Sequence, residues 1–155
     1  MVIGDSLTSS EAASALVRPG VYAAVGVHPY HPEQIDDAGR YLAAKAPYLV
    51  LIGIGGSYLG SRSAIEFLQP EWQTQPERPR LLYFGHHMGS TYATELLKFL
   101  DDHDYSACVI SKSGSTMESG VAFRILRQHM EKKYTPQEMH DRLLIITEPM
   151  SGSLR

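Results

Sequence analysis

Cysteine occurs once in the 155 residues, at Cys108 inside the apolar run Ala107-Cys108-Val109-Ile110. One thiol excludes an internal disulfide, and its apolar neighbours predict a reduced, buried side chain of the kind cytosolic proteins carry. A large excess of one sign of charge is missing too, with 14 Lys and Arg against 17 Asp and Glu. The net charge is −3, so no basic surface recruits nucleic acid or an anionic membrane. No stretch approaches the ~20 apolar residues of a membrane span. The N-terminus lacks the charged-then-apolar pattern of a secretory signal, which makes the cytoplasm the expected location. Close internal repeats and low-complexity tracts are also missing. What is present is the composition of a soluble globular chain, 43% hydrophobic and 20% charged, at a length suited to one domain with a real core.

Short β-rich runs alternate with helix-period segments along the chain. The expected strands are Val2-Ile3-Gly4, Val21–Val27, Tyr48–Ile54, Arg80–Phe84, Ala107–Ser111 and Leu143–Thr147. Between them, Tyr58–Leu68 reads as a helix stopped by Pro70. Ala93, Leu96, Leu97 and Leu100 form a helical stripe, and Met117, Val121 and Ile125 form a row with Ala122 and Leu126 beside it. Thr8–Glu11, Ser115–Glu118 and Thr135–Glu138 each fit a capping box, while Gln69–Arg80, rich in Pro and Gln, reads as a surface loop. Strand and helix alternating this regularly predict a mostly parallel, doubly wound α/β sheet of about six strands with helices on both faces.

Two strand ends carry the chemistry. After Leu49–Ile52 comes "GIGGSYLG", residues 53–60. The dinucleotide fingerprint fails because its third glycine position is Tyr58, and no Gly-Lys-Ser/Thr follows to make a P-loop. A tight turn explains the glycines but not Ser57. After Cys108–Ile110 comes "SKSGSTMES", residues 111–119, with hydroxyls at Ser111, Ser113, Ser115 and Thr116 and an ammonium at Lys112. It opens directly into a helix, where unpaired N–H groups and the dipole favour an anion. The dipole contributes only about 0.3–1 kcal/mol when exposed, so hydrogen bonds must supply most of the hold on a phosphate. The plainer reading is that Ser115 caps the helix through Glu118 and the other hydroxyls are solvated. The two are compatible, since a cap uses one or two of four free N–H groups.

"LIGIGGSYLGSRSAIEFL" (51–68), "FGHHMGSTY" (84–92) and "VISKSGSTMESGVAFRILR" (109–127) closely resemble the sugar-isomerase (SIS) domain of the glucose-6-phosphate isomerase family, over residues 48–155. The resemblance implies a flavodoxin-like fold. It assigns phosphate contacts to Ser111, Lys112, Ser113 and Thr116 and substrate contacts to Gly56 and Ser57. The family commonly has Thr-Thr where this chain has Ser115-Thr116, which keeps a hydroxyl. The implied ligand is a sugar phosphate, with inorganic phosphate or sulfate as its simplest analogue, and no cofactor is implied. The family interconverts glucose 6-phosphate and fructose 6-phosphate with a glutamate base, a ring-opening histidine and lysine, and an arginine. These lie downstream in the family and have no matching position here. Glu66, Glu95 and Glu118 fall on ordinary helix positions. No catalytic residue is therefore assigned, and phosphate binding without turnover is the expectation, with a scaffold that binds no ligand, or an isomerase fragment active only with a missing partner chain, as the alternatives.

Residues 1–47 resemble a different family. "MVIGDSLTSSEAASALV" and "GVYAAVGVHPYHPEQID" are similar to a strand–helix–strand piece of the TatD-type metal-dependent deoxyribonucleases, which are β/α barrels. That family's metal-holding His-x-His strand is absent here, so nuclease activity is not expected. His28 with His31, and adjacent His86 and His87, read as strand-end or surface histidines rather than a metal site. Both families share an "IG-x-IG"-like frame near residue 52, where a splice would fall, and the combined resemblance implies an engineered chimera. The architecture then holds a conflict. A barrel would pair Val21–Val27 with Tyr48–Ile54, whereas the isomerase order flanks the latter with Arg80–Phe84 and Ala107–Ser111. The expectation is that the isomerase order survives and the N-terminal strands are added or re-paired. Oligomeric state is left open.

Overall fold

Five consecutive residues, Tyr105–Val109, are buried, and a strand buried without alternation has cover on both faces. That strand lies inside a parallel sheet. In this computed structural model, which describes residues 2–3, 32–68 and 79–147, the strands are β1 Val2–Ile3, β2 Tyr48–Ile52, β3 Arg80–Phe84, β4 Tyr105–Ser111 and β5 Leu143–Thr147. Their order is β1-β5-β4-β2-β3 and every pairing is parallel. The helices are α1 Pro32–Ala43, α2 Gly56–Leu68, α3 Ser90–Asp101, α4 Met117–Lys133 and α5 Pro136–Arg142.

The α/β class and the parallel sheet are as expected; the strand count is smaller. Four strands of five to seven residues carry the sheet. β1 adds only two residues at the edge, registering Val2 with Ile145 and Ile3 with Ile146. The expected strand Val21–Val27, the Thr8–Glu11 cap, His28, His31 and most of the Gln69–Arg80 loop lie outside the described residues. Both edges of β2 are occupied, by β3 with Tyr48 opposite Arg80 and by β4 with Tyr48 opposite Tyr105. The isomerase order is therefore kept, and a barrel-type neighbour has no edge of β2 to use.

Strand alternation sorts the core into two layers. Val50, Ile52, Phe84, Ala107 and Val109 face α3 and α4, packing on Leu96, Leu100, Ala122, Leu126 and Met130. Leu49, Cys108, Ile110, Leu144 and Ile146 face the other way, toward Leu42 of α1. The first layer is the larger, and each fully buried aliphatic side chain in it is worth about 1.5–3 kcal/mol. α4 is rotated from the row read in the sequence: Ser119, Ala122, Leu126 and Met130 point inward, while Met117 is 70% exposed.

Caps behave differently at the two helix starts. At α5 the box closes: Thr135 Oγ1 accepts from the Glu138 N–H at 3.3 Å and Glu138 Oε2 accepts from the Thr135 N–H at 2.8 Å, with Pro136 in the first turn. The expected Ser115–Glu118 box does not form. Gly114, at φ +64°, closes a turn through its N–H to the Ser111 carbonyl at 3.2 Å. That turn directs Ser115 back onto Ser113, so the N-cap falls one residue later, on Thr116, which makes no side-chain cap bond.

The end of the sheet away from the loops is tied around Tyr105. Its N–H donates to Tyr134 Oη at 3.0 Å, and that hydroxyl donates to Asp104 at 3.3 Å. Arg142 reaches the carbonyls of Lys45 and Tyr105 and lies over the Tyr134 ring. Tyr105 Oη also pairs with His129 Nδ1 at 2.7 Å, and His129 Nε2 with Asp101 at 2.9 Å.

Candidate functional site

The chain leaving β2 turns to one face of the sheet and the chain leaving its neighbour β4 turns to the other. α2 lies on the Tyr83 side, with Tyr58 against that ring at 5.8 Å and Arg62 over it at 5.0 Å. α4 lies on the opposite side, packed on Ile52 and Val109. The crevice between the carboxyl ends of β2 and β4 is therefore a topological switch point, the place where open parallel sheets hold ligands. Both loops singled out in the sequence end there.

The glycine turn is built to bring the two tips together. A Cβ on Gly53 would sit 3.4 Å from the Ile110 carbonyl oxygen and 3.2 Å from Ser57 Cβ, so the turn is in contact with β4 on one side and with the start of α2 on the other. Gly55 adopts φ +53°, a left-handed conformation costly for other residues. Its carbonyl accepts from the N–H groups of Tyr58 and Leu59, at 3.2 and 2.9 Å. Gly56 is different. It is exposed, its φ is unremarkable, and a Cβ there would meet nothing within 4 Å. Nothing in the fold requires glycine at that position. Ser57 follows, half-buried, its N–H bonded to the Ile54 carbonyl at 3.1 Å.

The hydroxyls of the second loop are arranged in two pairs. Ser115 donates to Ser113 Oγ twice, from its N–H at 3.3 Å and its Oγ at 3.0 Å. Ser113 thus accepts within the loop and keeps its own O–H for an outside acceptor. Ser111 is 2% exposed and donates to Thr116 Oγ1 at 3.2 Å, which leaves the Thr116 O–H free in the same way. Lys112 is exposed and has no ion pair among the described residues. The loop thus presents two outward O–H donors, one ammonium and a helix start with no side-chain cap, a donor set suited to an oxyanion. Gly56 and Ser57 follow β2, and Lys112, Ser113 and Thr116 follow β4, at the carboxyl ends of two strands paired side by side. Ser111 stands behind Thr116 rather than at the surface. Ser115, one of the loop hydroxyls but not among the phosphate contacts that the resemblance assigns, organises Ser113. Its signal was the Ser-x-Ser spacing.

The remaining candidates are accounted for elsewhere. Glu66 is paired with Arg62 at 2.7 Å, and Glu95 is exposed. His86 and His87 meet edge-on at 4.4 Å within a cluster containing Tyr58 and Tyr92. Desolvation, aided by His87 and Arg62, lowers the His86 pKa and favours its neutral form. Among the described residues no group of three His, Cys, Asp or Glu side chains is placed to hold a metal ion. Among the same residues no helix is long and apolar enough to cross a membrane.

A parallel sheet with helices, a glycine turn and a hydroxyl loop at adjacent strand ends defines an α/β fold of the flavodoxin-like kind, and the comparisons narrow it. No family model matches the chain. Over 122 residues, 79% of the chain, it is 43% identical to the glucose-6-phosphate isomerase of Staphylococcus epidermidis (strain ATCC 12228 / FDA PCI 1200). Identity is also 43% with the isomerase of Staphylococcus haemolyticus (strain JCSC1435) and 42% with that of Staphylococcus aureus (strain Newman). Identity of this extent is homology. The match covers 122 residues, more than residues 48–155 hold, so the likeness to the isomerase reaches N-terminal to Tyr48, past the bound expected from the sequence. The chain spans only 28% of the length of these relatives. Among solved structures, the hypothetical protein TT0462 from Thermus thermophilus superposes with TM-score 0.66 and 28% identity, over 82% of this chain and 29% of the other. The glucose-6-phosphate isomerase of Chlamydia trachomatis D/UW-3/Cx gives TM-score 0.58 and 26% identity, over 76% and 23%.

Proposed function

We propose that residues 1–155 form one α/β domain whose crevice between β2 and β4 binds a phosphorylated sugar without turning it over. The adjacency of the two loop-bearing strand tips supports this reading most directly; homology to glucose-6-phosphate isomerase supplies the ligand class. The phosphate sits against the start of α4. Lys112, Ser113 and Thr116 donate to it, and Ser111 and Ser115 act through Thr116 and Ser113. Gly56 leaves room for the sugar to approach the backbone, and the Ser57 hydroxyl orients it. The family's base, ring-opening groups and arginine have no counterpart among these residues, and losing a general base alone removes about 10²–10⁴ in rate.

Isothermal titration with glucose 6-phosphate and with inorganic phosphate tests the reading. Saturable binding of both, weakened by Lys112→Ala and Ser57→Ala, is the expected result, and heats indistinguishable from dilution would refute it. A coupled isomerase assay on the chain alone should match buffer. A second reading is that the chain is a piece of an isomerase, active in aldose–ketose interconversion only when another polypeptide supplies the missing groups. The 28% coverage of its relatives favours this one. A splice of a barrel fragment onto the isomerase-like remainder belongs with the first reading, and a genomic reading frame running unbroken through the junction would exclude it.

A further inference from the structure

Among the described residues, three buried side-chain polar atoms have no hydrogen-bond partner: His86 Nδ1, Ser106 Oγ and Thr147 Oγ1. Folded chains pair the large majority of such atoms, because an unpaired one gives up its hydration for nothing. His86 is only half-buried, whereas Ser106 is 0% exposed and Thr147 2%. The two hydroxyls stand at opposite ends of the sheet. Ser106 is the second residue of β4, level with Leu49 near the start of β2. Thr147 is the last residue of β5, level with Ser111, the last of β4. Residues two apart on a strand share a face, so Ser111 and Thr147 lie on the face of Val109 and Ile145, in the layer that packs on α3 and α4. Thr147 therefore stands beside Ser111 at the crevice end, one strand further from the glycine turn.

Ser111 has bonding capacity to match. Its O–H goes to Thr116 Oγ1 at 3.2 Å, long for a bond between hydroxyls, and among the described residues nothing donates to Ser111 Oγ. An unused donor at Thr147 and an unused acceptor at Ser111 occupy paired positions, yet the bond between them is not made. Resting on the reading that this crevice takes a phosphate, we infer that Thr147 is the buried end of a hydroxyl chain that closes when the anion binds. Thr147 donates to Ser111, Ser111 to Thr116, and Thr116 to a phosphate oxygen. Every O–H then points toward the anion, and each bond polarises the next, strengthening the outermost donor. Thr147 does not touch the ligand; it is a positioning residue acting through Ser111 and Thr116. Its unpaired hydroxyl destabilises the free chain, a trade of stability for function common at binding sites.

Titration of the full chain with inorganic phosphate, paired with urea unfolding, tests this. Thr147→Val keeps the branched shape and removes the hydroxyl. It should weaken phosphate by about 3- to 10-fold, the effect of one neutral hydrogen bond, while the urea midpoint stays or rises. Thr147→Ser, which restores the hydroxyl, should keep the parent's affinity. Ser106→Ala removes the other unpaired hydroxyl and should leave affinity unchanged. Once Thr116→Val has broken the chain, adding Thr147→Val should weaken phosphate by less than about twofold. Unchanged affinity or a lowered midpoint in Thr147→Val, binding by Thr147→Ser as weak as by Thr147→Val, an equal loss in Ser106→Ala, or full additivity with Thr116→Val would each overturn the inference. If the parent binds phosphate and Lys112→Ala weakens it while Thr147→Val does not, only this inference falls. If the parent shows no saturable binding, the crevice reading falls and takes this one with it.

Discussion

Two glycines at neighbouring strand tips should respond to the same substitution in opposite ways. Gly85, just after β3, holds φ +82°, and a Cβ there would lie 2.8 Å from Ala122 Cβ, closer than packed carbons come. Placing alanine at that φ costs about 1–2 kcal/mol, and forcing α4 outward adds about 1–3 kcal/mol. Gly85→Ala should therefore lose about 2–5 kcal/mol, out of a total stability of about 5–15 kcal/mol. With a urea slope of about 2 kcal/mol/M, the midpoint falls by about 1–2.5 M. Gly56→Ala adds a methyl into open space at an ordinary φ, so its midpoint should move by no more than about 0.3 M. Its cost appears in titration with glucose 6-phosphate, where the methyl enters the space assigned to ligand and affinity drops about tenfold or more. Equal urea midpoints for Gly85→Ala and the parent would refute the packing argument. Unchanged glucose 6-phosphate affinity in Gly56→Ala would refute the ligand argument.

Other consequences are simpler to check. Lys112→Ala should weaken inorganic phosphate by about 10- to 150-fold in titration, since a hydrogen bond to a charged group is worth about 1.5–3 kcal/mol, with no change in urea midpoint. Ser115→Ala removes both donors onto Ser113 and should weaken phosphate by a few-fold, and full retention of affinity would show that Ser113 needs no support. Burial pushes the Cys108 thiol up to about 12, so it should be inert to a thiol reagent at pH 8 until the chain unfolds. Because that folded value lies above the unfolded one, the stability it reflects is complete below about pH 8.5 and declines toward pH 12, by at most about 1.4 kcal/mol per unit. Cys108→Ala should flatten that part of the profile measured by urea. Tyr134→Phe leaves the Tyr105 N–H without its acceptor and should cost about 1–3 kcal/mol in the same assay.

Much of this was legible in the sequence because parallel strands buried on both faces read as unbroken apolar runs. Tyr105–Val109 at the sheet's centre is buried that way, Tyr48–Ile52, Arg80–Phe84 and Leu143–Thr147 are apolar runs only partly covered, and the stripe from Ala93 to Leu100 marked α3 equally well. The starts of helices were less legible. Ser115–Glu118 and Thr135–Glu138 look alike as strings, and only the second closes, because the turn at Gly114 is a backbone conformation that spacing does not encode. The inward row of α4 was also misjudged by one position, since Met117 and Ala122 differ in apolar character less than in which neighbours they meet. At the crevice, the residue types were visible but their division of labour was not. That Ser111 serves Thr116 and Ser115 serves Ser113 depends on distances of about 3 Å across a turn.

The parallel pairing throughout the described sheet also governs how the chain must assemble. No two of its strands can meet as a hairpin, so nothing short-range seeds the sheet. Even the nearest pair along the chain, β2 with β3, must first enclose all of α2 and the segment after it. Such loops close at an entropic cost before any ladder repays it, and folds of this kind form slowly. β4 follows both β2 and β3 along the chain, which means the hydroxyl loop is set beside the glycine turn only once the sheet's centre is complete. Partly synthesised chains would hold the glycine turn without its partner.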